Sequence, residues 1–272
     1  VVSIYSRMLL LRYRPSVGSA VDYGRYLLSA VTTPDVFRHI SLHIVHIWEY
    51  LVFLDMANMG GIIAHEPEKD LPDDVDIEMA WNIQAFLPQA LQDRFAKAVG
   101  VFIYELYQAK RAACAAQADR PVMRALSQNT QLASNAVPEE KDLSSAADAK
   151  YIVAHAMTPR LLRMVSEIQE ERKGPINKDE WAFPQLPGSH LVMTNPTLEF
   201  IKATTRVLAL LKDAALEAQI CKRNLLDLIG VREFSPVAEW QNPCLSFRLP
   251  WVICHFCNDD RTLDPGSYTQ LT

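Results

Sequence analysis

The sequence predicts an α+β fold in which helices predominate, and three observations lead there. Runs rich in β-branched and apolar residues near the N-terminus have the composition and alternation of strands. From Met79 onward, apolar residues recur at three- and four-residue intervals, as they do along one face of a helix. Near the C-terminus, Val252-Ile253 leads into Cys254 and Cys257, the spacing of half a zinc ribbon. A tight turn between two such thiolates lets both sulfurs face one tetrahedral ion.

Composition narrows the class. The chain has 272 residues, 49% hydrophobic and 22% charged, ordinary for a globular protein with ample material for a core. No apolar run reaches the ~18 residues that span a bilayer, so no membrane association is expected. A net charge of −5 gives no support for an overall basic, duplex-binding surface, although it leaves room for a local patch. Five cysteines with one close pair argue against a secreted disulfide scaffold. Cys114, Cys221 and Cys244 read as free thiols in a reducing compartment. The first eleven residues lack a basic lead and a cleavage site, so they read as a strand entered mid-domain and the chain as a fragment of something larger.

The elements follow in order. Val1 to Tyr13 is one strand, or two joined by a tight turn near Ser6-Arg7. Ser16 is placed to cap a helix reaching about Thr32, which Pro34 closes. From His39 to Ile47 apolar and polar residues alternate, the pattern of a half-buried strand that continues into the apolar Trp48 to Leu54. Asn58-Met59-Gly60-Gly61 then signals a turn, with glycines free to take positive φ, before Ile62-Ile63 completes a hairpin. His65 to Glu78 is acidic and prolyl and reads as a solvated linker, or as a tract for basic partners.

Met79 to Ala116 reads as helices interrupted near Pro88, with Phe95, Val99, Phe102, Ile103 and Leu106 on one core-facing stripe. Gln117 to Asp148 is poor in aromatics and reads as a surface loop or disordered insertion. Helical pattern resumes from Ala149 to Lys173, kinked or split at Pro159 and ended by Gly174-Pro175. Phe183 to His190 is a structured turn. Asn195 as N-cap, Pro196 in the first position and Glu199 in the first turn open a further helix. That pattern persists to Ile229, with a break around Asp213 to Glu217 and Gly230 as the stop. On it, Arg206, Lys212, Lys222 and Arg223 are of a type and placement to touch phosphates; acidic neighbours Asp213, Glu217 and Asp227 favour the alternative of a solvated face.

Other constellations carry less. Ser189 beside His190 is adjacency in sequence, not a catalytic triad. On a strand, His39 and His43 share a face while His46 points away, so three-point metal ligation fails unless the segment is helical. There is no internal repeat and no Gly-rich phosphate loop.

Several tracts resemble one family in order along the chain. They are W-E-Y-L-V-F-L-D-x-x-N-x-G-G at Trp48 to Gly61, A-W-N-I-x-x-F-L-P at Ala80 to Pro88, L-P-G-S-H-L from Leu186, and Phe234 to Pro250 leading into V-I-C-x-x-C-N-x-x-R-x-L-D. Together they resemble the C-terminal, non-catalytic half of the DNA polymerase epsilon catalytic subunit, which is an inactivated family B polymerase module that runs into cysteine modules. Asn258, Arg261, Leu263 and Asp264 match that last segment; the family's additional cysteines there do not appear. An active palm of that family holds Mg²⁺ on hairpin aspartates and presents a K-K-x-Y turn to the primer backbone. Ser3-Ile4-Tyr5-Ser6-Arg7 carries no carboxylate, and Asp55-Met56-Ala57-Asn58 carries no lysine.

The resemblance therefore implies a degenerate palm-like sheet over 1–64 and a linker over 65–78. It implies a helical thumb-like region over 79–233, with a flexible insertion at about 117–148, and a connector with the first half of a zinc module over 234–272. Cys254 and Cys257 are the implied zinc ligands, the others being expected beyond the end of the chain. The implied role is architectural: a nuclear, non-catalytic part of a DNA-directed DNA polymerase. It would meet the replicative helicase and the second-largest polymerase subunit in DNA replication. A module gripping DNA through Arg206, Lys212, Lys222 and Arg223 is the rival reading.

Overall fold

The structure, a computed structural model, describes residues 2–4, 7–10, 17–33, 42–55, 57–64, 76–118, 143–175, 177–184, 193–245, 249–253, 256–258 and 260–263. The chain divides into two compact units, 1–80 and 81–272. The architecture is α+β with helices in the majority, as expected. The expectations for Ser16, Pro34, His39, most of the acidic tract and the Leu186 to Leu191 tract lie outside the described residues.

In the first unit, β1 (Val2–Ile4) and β2 (Arg7–Leu9) form an antiparallel pair with Ile4 opposite Arg7, so the two-strand reading of the N-terminus holds. Helix α1 spans Val17–Thr32, ending where Thr32 and Thr33 hydroxyls donate back to the Leu28 and Ser29 carbonyls. Strands β3 (Trp48–Asp55) and β4 (Asn58–Ile63) pair antiparallel, and β5 (Ile77–Trp81) flanks β4 to complete a three-stranded sheet.

Three expectations for this unit are corrected. Residues 42–47 form no strand; Ile44 and Val45 are exposed, because alternation supplies a face but not a partner to pair with. Asp55 pairs with Asn58 across the hairpin, and Asn58 to Gly61 belong to β4 rather than to its turn. Asp55 closes that turn: its carboxylate accepts from the Ala57 N–H at 2.8 Å and from Asn58 Nδ2 at 2.9 Å, an Asx turn that leaves Asn58 fully buried. Gly61 serves the ladder, since a Cβ there would collide with the Tyr50 carbonyl oxygen and lie 3.0 Å from Leu51 Cα. Finally, Ile77 to Trp81 is a strand rather than the end of a linker and the start of a helix; five residues offer too little length for either period to show.

The second unit is helical. After a 3₁₀ turn at Asn82–Phe86, Pro88 precedes α2 (Gln89–Ala118), matching the interruption expected there. The stripe Phe95, Val99, Phe102, Ile103 and Leu106 is buried, as its spacing implies. Helix α3 (Leu143–Tyr151) continues through a π-helical turn, Ile152–Met157, into α4 (Thr158–Lys173). Of the expected insertion, 119–142 lies outside the described residues, and helix occupies both of its edges.

The π turn has a cause in the burial pattern. Ala149, Val153, Met157, Leu161 and Val165 are all buried at intervals of four. On an α-helix each such step drifts by about 40°, and the wider i→i+5 turn takes up that drift. Pro159 lies inside this continuous helix and withholds one N–H from the ladder just after the π turn, and the Thr158 hydroxyl donates to the Val153 carbonyl at 2.7 Å.

Helix α5 (Pro196–Leu208) begins as read: Asn195 accepts from the Thr197 N–H at 3.2 Å with Pro196 first. The Arg172 guanidinium donates to Asn195 Oδ1 at 2.9 Å and Thr197 Oγ1 at 3.0 Å, fastening the end of α4 to that cap. The break comes slightly early, at 209–214, before α6 (Ala215–Leu228). Gly230 at φ 72° then lets Val231 donate to the Leu226 carbonyl at 2.9 Å. Helix α5 packs on α2 and α6, and α4 packs on α6. Two short strands, β6 (Leu249–Ile253) and β7 (Asp260–Leu263), form a terminal hairpin.

Candidate functional site

The β1–β2 hairpin brings Ile4 opposite Arg7 with no carboxylate anywhere in its strands or turn. Of the aspartates in the same unit, Asp22 is exposed on α1, 3.9 Å from Arg25. Asp55 is committed to the β3–β4 turn. His43 and His46 do not converge with a third ligand: His46 Nε2 lies 3.2 Å from the Glu78 carboxylate and its ring leans on Trp48. Among the described residues no group of three or more His, Cys, Asp or Glu is placed to hold a metal.

The terminal hairpin carries the cysteine pair. Cys254, immediately after β6, lies outside the described residues; Cys257 is exposed in the turn, followed by Asn258 in the left-handed region at φ 58°. Zinc on this pair would need both thiolates and two further ligands. Cys221, by contrast, is buried, and burial pushes its thiol pKa up against the opposing hydrogen bond from Thr158. It is inert core.

The four basic residues are spread over three elements. Arg206 is exposed on α5, Lys212 is exposed in the 3₁₀ turn, and Lys222 and Arg223 are half-buried and exposed on α6. Consecutive helical positions lie about 100° apart, so Lys222 and Arg223 face different ways. None of the four makes an ion pair among the described residues.

The sequence reading missed a buried charge pair. In the first turns of α5, Glu199 and Lys202 meet at 2.8 Å with both side chains 12% exposed, and Lys202 Nζ also donates to the Val237 carbonyl at 3.3 Å. They line a cavity of about 80 Å³ with Phe86, Leu87, Trp240 and Pro243. Burial raises the Glu199 pKa, and the hydrogen bond and charge of Lys202 oppose that rise. The i,i+3 spacing was visible; the burial of nearly every side of α5 was not. So small a cavity is far below the ~300 Å³ of a ligand pocket and suits packing, not a nucleotide.

Comparison with known proteins adds what geometry leaves open. Residues 1–62 match a family described as a domain of unknown function, DUF1744. The chain is 30% identical over 266 residues to the DNA polymerase epsilon catalytic subunit of Emericella nidulans, covering 95% of this chain and 12% of that one. Against the Debaryomyces hansenii protein of the same name it is 29% identical over 265 residues, again 95% and 12%. Against that of Saccharomyces cerevisiae it is 25% identical over 254 residues, 93% and 11%. The resemblance carried by the sequence tracts is thus found along nearly the whole chain, which spans about an eighth of the length of these relatives.

Proposed function

We propose, from this similarity to DNA polymerase epsilon catalytic subunits, that the chain is a structural, catalytically inactive module of such a polypeptide and acts in DNA replication in the nucleus. The observation that carries the reading is identity of 25–30% along 93–95% of the chain, combined with a β1–β2 hairpin that has no carboxylate. Two-metal phosphoryl transfer needs carboxylates that hold hard cations. In this reading residues 1–64 are the remnant of a palm, 79–233 a thumb-like helical region, and 234–272 the entry to a zinc module. Cys254 and Cys257 would supply two thiolates to a structural zinc, whose other ligands come from elsewhere in the longer polypeptide. The module would dock the polymerase on the replicative helicase while the cysteine modules engage the second-largest subunit.

The test is a pull-down of the reconstituted helicase and of the second-largest subunit with the longer polypeptide, with and without residues 1–248. Loss of helicase capture alone supports the reading; unchanged capture of both refutes helicase docking. Zinc content that stays unchanged after C254S/C257S would refute the metal assignment. A second reading, direct DNA binding through Arg206, Lys212, Lys222 and Arg223, rests on three of them being exposed and all four lacking ion pairs among the described residues. It predicts steep loss of DNA affinity with salt.

A further inference from the structure

The outer face of the α3–π–α4 helix differs in charge from the rest of the molecule. Residues 149–166 contain Lys150, His155, Arg160 and Arg163 and no aspartate or glutamate, in a chain of net charge −5. Along this segment Lys150, Tyr151, His155, Arg160 and Arg163 are all exposed, with Lys150 and Tyr151 about 100° apart around the axis. Tyr151 is 65% exposed, and its ring sits against that of His155 with centroids 4.8 Å apart and planes tilted by 37°. Arg160 leans toward Glu105 of α2 at 3.5 Å; Lys150 and Arg163 make no ion pair among the described residues. Half-buried Asp148 and exposed Glu167 bound the patch at its two ends.

We infer that this face binds single-stranded nucleic acid, with a base stacked on the Tyr151–His155 pair and phosphates on Lys150 and Arg163. The observations favour that ligand over an acidic peptide because the charges come with an exposed aromatic pair. An acidic peptide needs the cations but gains nothing from a π-face, whereas an unstacked base uses both. Lys150 and Arg163 are thirteen residues apart, roughly 20 Å along a helix, a span of a few nucleotides. The π turn holds the two rings on the side away from buried Val153 and Met157. The 3₁₀ turn that carries Lys212 packs against α3, so that lysine adjoins this surface, and the inference does not depend on helicase docking.

The test is fluorescence anisotropy of the 272-residue chain with a labelled twenty-nucleotide oligo-dT across a salt series, checked by circular dichroism for unchanged helicity. Y151A is expected to weaken binding at least about fivefold with the salt slope kept, and Y151F to retain affinity. K150Q/R163Q is expected to flatten the log–log salt slope by about 1 to 1.5, two phosphate contacts on a single strand. The inference is overturned if the chain does not bind the oligonucleotide or if Y151A leaves affinity unchanged. It is equally overturned if poly-glutamate or a duplex of equal length competes as well as unlabelled oligo-dT.

Discussion

Among the described residues of 1–80, the buried side chains are Val52, Asn58 and Ile62, while those of 81–272 bury a continuous apolar set from Trp81 and Phe95 through Val165 and Phe200 to Leu226. The first unit is held by ladder hydrogen bonds and close backbone approach; the second by side chains meshing between α2, α4, α5 and α6. The same contrast separates where a substitution must strike to do damage. In the helical unit the vulnerable atoms are side chains, and in the sheet they lie on the main chain.

Four substitutions test that contrast, from the largest effect down. F102A, at the centre of the helical core, should cost about 3–5 kcal/mol in urea unfolding and lower protection across α2, α5 and α6 together. G61A should cost about 1–3 kcal/mol, because the new Cβ meets the rigid Tyr50 carbonyl. Its loss of hydrogen-exchange protection should stay within β3 and β4; loss that spreads into α2 would break the comparison. N195A removes the α5 cap and the Arg172 partner and should cost about 1 kcal/mol by thermal melting.

The smallest effect is one of pH. Burial raises the Glu199 carboxyl above its usual 4.5, so the folded chain binds this proton more tightly than the unfolded one. Its contribution to stability is present below about that pH and is lost as pH rises through the raised value. E199Q should therefore flatten that part of the stability curve, read by urea unfolding between about pH 4 and 8. An unchanged slope would mean that Lys202 already offsets the burial.

The two units also differ in how much the sequence disclosed. In the second, local periodicity and local chemistry agree: the Phe95 to Leu106 stripe, the Asn195-Pro196 cap and the Gly230 stop each depend on neighbours within a few residues. In the first, the outcome turned on distant partners. Alternation at 42–47 found no strand to pair with, Ile77 to Trp81 did, and Gly61, which signals a turn, sits where another backbone passes close. The site followed the same rule. Missing carboxylates at the first hairpin were legible letter by letter. The Glu199–Lys202 pair was legible as a spacing but not as a largely buried pair, because burial belongs to the 83–87 segment, α5 and the 236–245 segment jointly.

The π turn between α3 and α4 is in effect an extra residue that the helix has absorbed without breaking. Removing one residue from 152–157 would let the segment relax to plain α-helix with everything after it kept in phase, because six residues at the π turn's ~80° each rotate about as far as five at ~100°. Leu161, Val165 and Ile168 would then stay on the core. A gap of one residue can thus be absorbed at this turn, whereas the same gap inside α4 would rotate every later side chain by about 100°.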